Sequence, residues 1–234
     1  MSEPGFRRIL AFDCSGAACS AAIRIDSVLV AERFAAMDRG QAEVLLPQIE
    51  AVLGDAGIGF PDLDVIATTT GPGSFTGLRI GLAAARGLAL AAGKPLLALT
   101  GFEALLAGLT EENLIGRKVA VAIDSRRGPV FAQMFEFAVA GWAPLAPPTS
   151  LEPDAFDAWL PPEPMLILAD PGAAAPPERP GLAVKRSAIQ AGDIARVAAA
   201  LGPAGIGRLA AVPLYLRPPD VTMPKSQLLL ERIQ

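Results

Sequence analysis

A glycine-rich loop in the first half of the chain carries residue types that bind anions. The segment before it, Leu63 to Thr70, is apolar and β-branched, as in a buried strand. The segment after it, Ser74 to Ala92, is rich in Leu and Ala, as in a helix, with Gly93 as its stop signal. A helix start presents unpaired N–H donors and the positive end of the helix dipole. The loop therefore predicts a nucleotide or anion contact through Gly71, Gly73, Ser74, Thr76 and Gly77.

The loop matches no standard phosphate-binding signature. A Walker A loop ends in Gly-Lys-Ser/Thr, whereas this one ends in Gly77-Leu78-Arg79. A Rossmann fingerprint expects an acidic residue about 20 positions further on, and the first one after this loop is Glu103. A tight β-to-α turn that needs glycine for its backbone angles and close packing explains the same residues equally well. Both interpretations stay open at this point.

A short strand followed by an aspartate opens each half of the chain. Ile9 to Phe12 leads into Asp13, and Ala120 to Ile123 leads into Asp124. Each aspartate is followed by a polar turn and a returning strand. Chance also explains so short a match, but its position in each half favours duplicated α/β lobes that face each other across a cleft. Asp13, Ser15 and Asp124 would then join the anion site, although surface turns favour polar side chains anyway.

Composition excludes several classes of enzyme. Histidine is absent from the 234 residues, which removes Ser-His-Asp and Cys-His catalysis and every histidine metal motif. Cys14 and Cys19 are expected to be small buried residues in a reducing compartment. The formal net charge of −4 argues against nucleic-acid binding by this chain alone, because phosphate binding needs clustered Lys and Arg.

The predicted helix from Ser74 to Ala92 is apolar around most of its circumference. Between Leu78 and Ala92 the only charges are Arg79 and Arg86. Gly77 and Gly81 fall on one side of this helix and form a glycine stripe. Glycine inside a helix costs roughly 0.5–1 kcal/mol relative to alanine, so the stripe implies that a neighbouring backbone comes close. We expect the protein's own sheet on one face and a helix of a second subunit on another.

Targeting segments are not indicated by the sequence. Arg7-Arg8 is followed by only four apolar residues before Asp13, which is too short for a signal peptide. No apolar run without charge approaches the length of about 18 residues that a membrane span needs. We expect a cytoplasmic protein.

Four segments resemble the bacterial TsaB (YeaZ) family, the dimerisation subunit of the complex that makes N6-threonylcarbamoyladenosine (t6A) at position 37 of tRNA. Together they extend over nearly the whole chain, and the glycine loop is the most specific of them. The segments are Ile9-Leu10-Ala11-Phe12-Asp13-Cys14-Ser15, the loop from Gly71 to Gly81, Ile123-Asp124-Ser125-Arg126-Arg127-Gly128, and Pro213-Leu214-Tyr215-Leu216-Arg217.

The resemblance implies an actin/Hsp70-like ATPase (ASKHA) fold, an α/β fold with two duplicated lobes of mixed sheets flanked by helices. We place the N-terminal lobe at residues 1–104 and the C-terminal lobe, with an extended C-terminal tail, at residues 105–234. The family pairs with the catalytic subunit TsaD through two N-terminal-lobe helices, which correspond here to Gln41–Leu53 and Ser74–Ala92. The implied interface residues are Val44, Leu45, Ile49, Gly77, Leu78, Gly81, Leu82, Ala85 and Leu88.

A non-catalytic role also follows from the resemblance. TsaD holds a metal through paired histidines in a segment that aligns with Thr100 to Leu105, and no histidine stands there. We therefore expect no catalytic residue, no metal and no cofactor of its own, with any ATP or ADP at the partner interface. The expected partners are TsaD and the ATPase TsaE, with tRNA contacted only through the complex. A homodimer in isolation stays open, because an unpaired apolar helix face would be a liability.

An enzymatic alternative uses the same turns. An ATP-dependent phosphotransferase or ATPase of this superfamily would place Asp13 and Asp124 around Mg²⁺. ATP turnover that is lost on Asp13→Ala would favour it. A peptidase is disfavoured, because the sequence offers neither a histidine metal pair nor a triad base.

Overall fold

The computed structural model describes residues 5–109, 115–139, 141–174 and 180–217. An N-terminal sheet has the strand order β3-β2-β1-β4-β5, in which β1, β2 and β3 pair antiparallel and β4 and β5 run parallel to β1. Its strands are β1 (Arg8–Asp13), β2 (Ala18–Ile25), β3 (Val28–Ala36), β4 (Val65–Thr69) and β5 (Leu96–Leu99).

A C-terminal sheet repeats this topology. Read from its β8 edge, the order is β8-β7-β6-β10-β11, again an antiparallel hairpin followed by two parallel strands, and β9 also pairs with β7. The strands are β6 (Lys118–Asp124), β7 (Val130–Ala138), β8 (Gly141–Pro144), β9 (Thr149–Leu151), β10 (Met165–Ala169) and β11 (Leu182–Arg186). The two sheets confirm the predicted ASKHA fold with duplicated lobes.

Helices form three layers around the two sheets. The helices are α1 (Gln41–Ala56), α2 (Phe75–Ala92), α3 (Gly101–Ala107), α4 (Pro153–Trp159) and α5 (Ala191–Leu201). The pair α1 and α2 covers the outer face of the N-terminal sheet, α4 covers the outer face of the C-terminal sheet, and α3 and α5 lie between the sheets. The boundary predicted after residue 104 thus falls inside α3, in a layer that both lobes share.

Strand periodicity explains these layers. Ile9 and Ala11 of β1 point into the core between the sheets, whereas Leu10 and Phe12 point toward α1 and α2. Successive side chains on a strand face opposite sides, so a strand that is apolar throughout must be covered on both faces. The strand β6 shows the same alternation between the central core and the α4 side.

The start and the end of α2 follow from its sequence. The Ser74 hydroxyl accepts a hydrogen bond from the Gly77 N–H at 3.3 Å, which is an N-cap. Gly93, at a φ of 63°, ends the helix in the left-handed conformation that favours glycine. By length and composition alone α2 could cross a membrane, but a packed helix of a soluble protein passes the same test. Leu78, Leu82 and Ala85 of α2 are buried in the protein's own fold.

The described part of the C-terminal tail, residues 211–217, contains neither helix nor strand. Pro213 lies within this segment and disfavours a helix, as the sequence predicts. The Leu214 N–H donates to the Thr70 carbonyl at 2.8 Å, which ties the tail to the end of β4. Residues 218–234, predicted as the rest of the tail, lie outside the described residues.

Candidate functional site

The turn after β1 is closed by hydrogen bonds to its own side chains. The Asp13 carboxylate accepts the Ser15 N–H at 2.9 Å and a short hydrogen bond from the Thr69 hydroxyl of β4. Asp13 is 4% exposed, and burial raises the pKa of its carboxyl because the charged form loses solvation. Ser15 is also buried. These two predicted site residues are therefore buried, and the Asp13 carboxylate is hydrogen-bonded by Ser15 and Thr69.

The glycine loop packs directly on this turn. The Ser74 N–H donates to the Ser15 carbonyl at 2.7 Å, so an amide at the start of α2 is bound by the protein itself. A β-carbon added at Gly77 would overlap the Cys14 carbonyl oxygen, and one added at Gly73 would overlap the Ser15 carbonyl oxygen. Close packing therefore explains why glycine stands at positions 73 and 77. This agrees with the second interpretation of the loop, a tight turn that needs glycine.

The turn after β6 is built differently, although it is the counterpart in the second lobe. Asp124 accepts the Arg126 N–H at 2.7 Å, and its other oxygen lies 3.5 Å from the Arg126 guanidinium. That guanidinium also contacts Asp38 of the N-terminal lobe at 2.6 Å. Arg126 thus connects the two lobes. Next to this turn, burial and the charge of Asp124 raise the pKa of Asp170.

The two aspartates do not form a metal site with other ligands. In the part of the chain that the structure describes, no three His, Cys, Asp or Glu side chains are grouped so that they could hold a metal ion. Asp13 is engaged by Ser15 and Thr69, and Asp124 is engaged by Arg126. The Mg²⁺-dependent alternative therefore gains no support from this geometry.

The two cysteines are packing residues. Cys14 and Cys19 are both buried free thiols. Burial raises the pKa of Cys19 to about 12 and raises the pKa of Cys14 further, so neither is a thiolate at neutral pH.

Most of the predicted interface residues face the interior of the protein. Val44 and Leu88 are half-buried, and the other seven are buried in the protein's own fold. The close neighbour at Gly81 is Cys14 of the first turn, so the glycine stripe fits the protein's own hairpin. The spacing of hydrophobic residues identifies the apolar side of a helix. That side normally packs against the protein's own sheet. The buried residues are Leu45, Ile49, Gly77, Leu78, Gly81, Leu82 and Ala85.

Another apolar surface of the same helix pair does face outward. We call it the outer face, and it consists of Leu46 of α1 with Ala83, Gly87, Leu90 and Ala91 of α2. Leu90 is 85% exposed and Leu46 is 48% exposed. Apolar residues occur on both sides of α2, so the hydrophobic pattern alone does not distinguish the inward side from the outer face.

The tail covers the first half of α2. The Tyr215 ring stacks on Phe75 with ring centroids 5.2 Å apart, and the Arg79 guanidinium lies 3.8 Å from the centre of the Phe75 ring. Arg79 also donates to the Tyr215 hydroxyl at 3.1 Å, and Arg86 donates to the Ala211 carbonyl at 2.5 Å. Both arginines of α2 therefore donate hydrogen bonds to the tail. They keep their charge, and Arg86 is exposed directly beside Gly87 of the outer face.

Parts of the two lobes and the tail meet at a cleft of about 280 Å³. Of the eight predicted anion-site residues, Gly73, Ser74 and Thr76 line it, and Asp13, Ser15, Gly71, Gly77 and Asp124 do not. Its remaining lining residues are Phe75, Ser125, Arg126, Arg127, Phe131, Leu214, Tyr215, Leu216 and Arg217. The arginines and the tail were not predicted as site residues, since only the fold brings them to the glycine loop.

A family model described as TsaD, tRNA N6-adenosine threonylcarbamoyltransferase, matches residues 35–148. The chain is 37% identical to the tRNA threonylcarbamoyladenosine biosynthesis protein TsaB of Escherichia coli over 124 residues. These residues cover 53% of this chain and 53% of that protein. It thus matches about half the length of that relative. An uncharacterised protein of Mycobacterium tuberculosis is 34% identical over 223 residues, which cover 94% of this chain and 96% of that protein.

A solved structure agrees over most of the chain. The structure of YeaZ from Pseudomonas aeruginosa superimposes with a TM-score of 0.72 at 27% identity and covers 90% of this chain and 100% of that one. The shared fold, the sequence relatives and the order of the motifs lead to one assignment. The chain belongs to the bacterial TsaB (YeaZ) family.

Proposed function

We propose that this protein is a non-catalytic subunit that pairs with a TsaD-type transferase and supports threonylcarbamoylation of adenosine 37 in tRNA. A relative of known name takes part in biosynthesis of this nucleoside, and the matching family model describes the transferase. In this role the subunit supplies binding energy and positions its partner, while the partner performs the transfer. We expect it to act in the cytoplasm together with a TsaE-type ATPase.

The observation that carries the proposal is the outer face of α1 and α2. Leu90 projects into solvent at 85% exposure, next to small residues that let another helix approach closely. Small side chains bring helix axes together, and an exposed apolar surface gains free energy when it is covered. A helix pair of similar build on the partner would cover it.

The site chemistry supports a non-catalytic role. The sequence contains no histidine, the Asp13 carboxylate is bound within its own turn, and both thiols are buried. None of these groups is placed to act as a general base on a bound substrate. The phosphotransferase alternative is not favoured by any contact in the described residues.

Leu90→Asp tests the docking surface. The charge should weaken binding to the TsaD-type transferase of the same organism by about ten-fold or more, because an unpaired carboxylate in an apolar interface loses its solvation. Isothermal titration calorimetry would measure the dissociation constant, with circular dichroism to check the fold. Val139→Asp is the matched control, since Val139 is 93% exposed in the other lobe. Unchanged affinity of Leu90→Asp would show that the outer face is not the interface.

Reconstitution tests the division of labour. Transferase, TsaE-type ATPase, threonylcarbamoyl donor and tRNA should form the modified nucleoside at a much lower rate without this chain. The chain without the transferase should form none. Transfer by this chain alone would overturn the non-catalytic assignment.

A further inference from the structure

The cleft lies between the glycine loop, the turn after β6 (the second turn) and the tail, and arginine side chains line it. Three of its lining residues are arginines, Arg126, Arg127 and Arg217, and none is acidic. The whole chain has a net charge of −4, so this charge is a local feature and does not reflect the composition. Asp38 and Asp124 contact Arg126, but neither of them lines the cleft. A small anion in the cleft would therefore meet only cationic, hydroxyl and apolar groups.

Three hydroxyls of cleft-lining residues accept hydrogen bonds from N–H groups of the protein. Ser74 accepts the Gly77 N–H at 3.3 Å, Ser125 accepts the Arg127 N–H at 3.2 Å, and Tyr215 accepts from Arg79 at 3.1 Å. A hydroxyl that accepts from an N–H keeps its own hydrogen to donate. These three O–H groups come from the glycine loop, the second turn and the tail. An anion with several oxygens requires several donors, and these three residues line the same cleft.

The cleft also has an aromatic wall and a limited size. Phe75 and Tyr215 stack with their ring centroids 5.2 Å apart, and Phe131 lines the cleft as well. A volume of about 280 Å³ is near the lower end of pockets for small molecules, which run from roughly 300 to 1,000 Å³. The cleft therefore suits a small ligand with an apolar part. The acidic chain as a whole is unsuited to the phosphates of a long nucleic acid.

We propose that this cleft binds a small phosphate monoester. A phosphate monoester presents three strong acceptor oxygens and nearly two negative charges, whereas a carboxylate has two oxygens and one charge. Arginine and hydroxyl donors from three segments match the larger group, and the ring pair would contact its organic part. The start of α2 contributes its side-chain hydroxyls, since the Ser74 amide is already bound by Ser15. This site is separate from the outer face, because Leu90 lies about 22 Å along α2 from Phe75.

Phenyl phosphate is a suitable probe, because it combines a phosphate monoester with one aromatic ring. Calorimetry at low ionic strength should show one-to-one binding of phenyl phosphate that is tighter than that of benzoate or inorganic phosphate. Arg127→Gln should weaken it by about ten-fold or more through loss of a charge-assisted contact. Tyr215→Phe should weaken it less, since it removes one donor and keeps the ring. Arg8→Gln, an exposed arginine of β1 outside the cleft, is the matched control and should leave binding unchanged.

Several results would overturn the proposal. They are absence of phenyl phosphate binding at millimolar concentration, equal affinity for benzoate, or affinity that neither cleft variant changes. Tighter binding of a single-stranded RNA oligonucleotide that Arg127→Gln abolishes would assign the cleft to a nucleic acid instead. None of these results bears on pairing with the transferase, which Leu90→Asp tests independently.

Discussion

The turns after β1 and β6 occupy equivalent places in the two lobes, yet only the first is sealed. Around Asp13 the glycine loop packs so closely that a single added β-carbon at Gly77 would overlap the turn backbone. Around Asp124 the turn is held by Arg126, and Arg127 is exposed beside the cleft. A duplicated strand order therefore does not imply duplicated chemistry.

The difference arises in the connections after the equivalent parallel strands. The connection after β4 contains α2, a helix of 18 residues whose glycine loop covers the first turn. The connection from β10 to β11 is too short for such a helix, and the turn at Asp170 approaches the second turn instead. Because the glycine loop covers the first turn, Asp13 is a core residue. The second turn is not covered in this way, and Arg126 and Arg127 line the cleft.

Gly77→Ala should have the largest effect on stability, because it acts where the glycine loop seals the first turn. The added methyl group meets the Cys14 carbonyl, which is backbone and cannot move aside like a flexible side chain. We expect a loss in the free energy of unfolding of about 3 kcal/mol or more, at the upper end of overpacking effects. Urea denaturation would measure it.

Gly87→Ala is the control in the same helix. No atom lies within 4 Å of the added β-carbon at Gly87, so this change should stabilise the protein by about 0.5–1 kcal/mol through helix propensity. If Gly77→Ala were tolerated as well as Gly87→Ala, the first turn would not be sealed by the glycine loop.

The losses of stability caused by Asp13→Ala and by Asp124→Ala compare the two turns directly. Removing Asp13 leaves the Ser15 N–H and the Thr69 hydroxyl without their acceptor in the core, which should cost about 1–3 kcal/mol. Removing Asp124 frees the Arg126 N–H at a partly exposed turn, where water replaces the carboxylate, so we expect about 1 kcal/mol or less. Urea midpoints of the two variants would give the order. The reverse order would show that the second turn is the more firmly built.

The sequence predicts the strands of this comparison well and the surfaces poorly. Burial on both faces forces strands such as β1 and β6 to be apolar throughout, so they stand out as continuous runs. The glycines and Ser74 mark the start of α2 because left-handed turns and caps need particular residues. Short edge strands such as β8 and β11 carry no such signal, since they are half exposed and depend on pairing.

The site depends on contacts between distant segments. Tyr215 reaches Arg79 across 136 positions, and Arg126 reaches Asp38 across 88. No local pattern encodes such pairs. The predicted anion residues Asp13 and Ser15 are correct as turn residues, but only the packing of α2 shows that they face inward.

The pH dependence of stability should show a smaller effect, centred on Asp170. Burial and the neighbouring charge of Asp124 raise the pKa of Asp170 above its ordinary value of 3.8, with Arg126 acting in the opposite direction. The folded state then holds the proton more tightly than the unfolded chain does. This contribution to stability is present below pH 3.8 and is lost as the pH rises through the raised pKa.

Asp170→Asn removes this titration and should flatten the fall in stability as the pH rises above 3.8. The slope attributable to one proton cannot exceed about 1.4 kcal/mol per pH unit. Urea midpoints of both proteins across the acidic range would measure the difference in slope. Parallel curves would mean that Asp170 keeps an ordinary pKa, and that the second turn is open to solvent on this side as well as at the cleft. A flattened curve would show that the second lobe buries a carboxylate next to its turn, that of Asp170. In the first lobe the buried carboxylate is that of Asp13, which belongs to the turn itself.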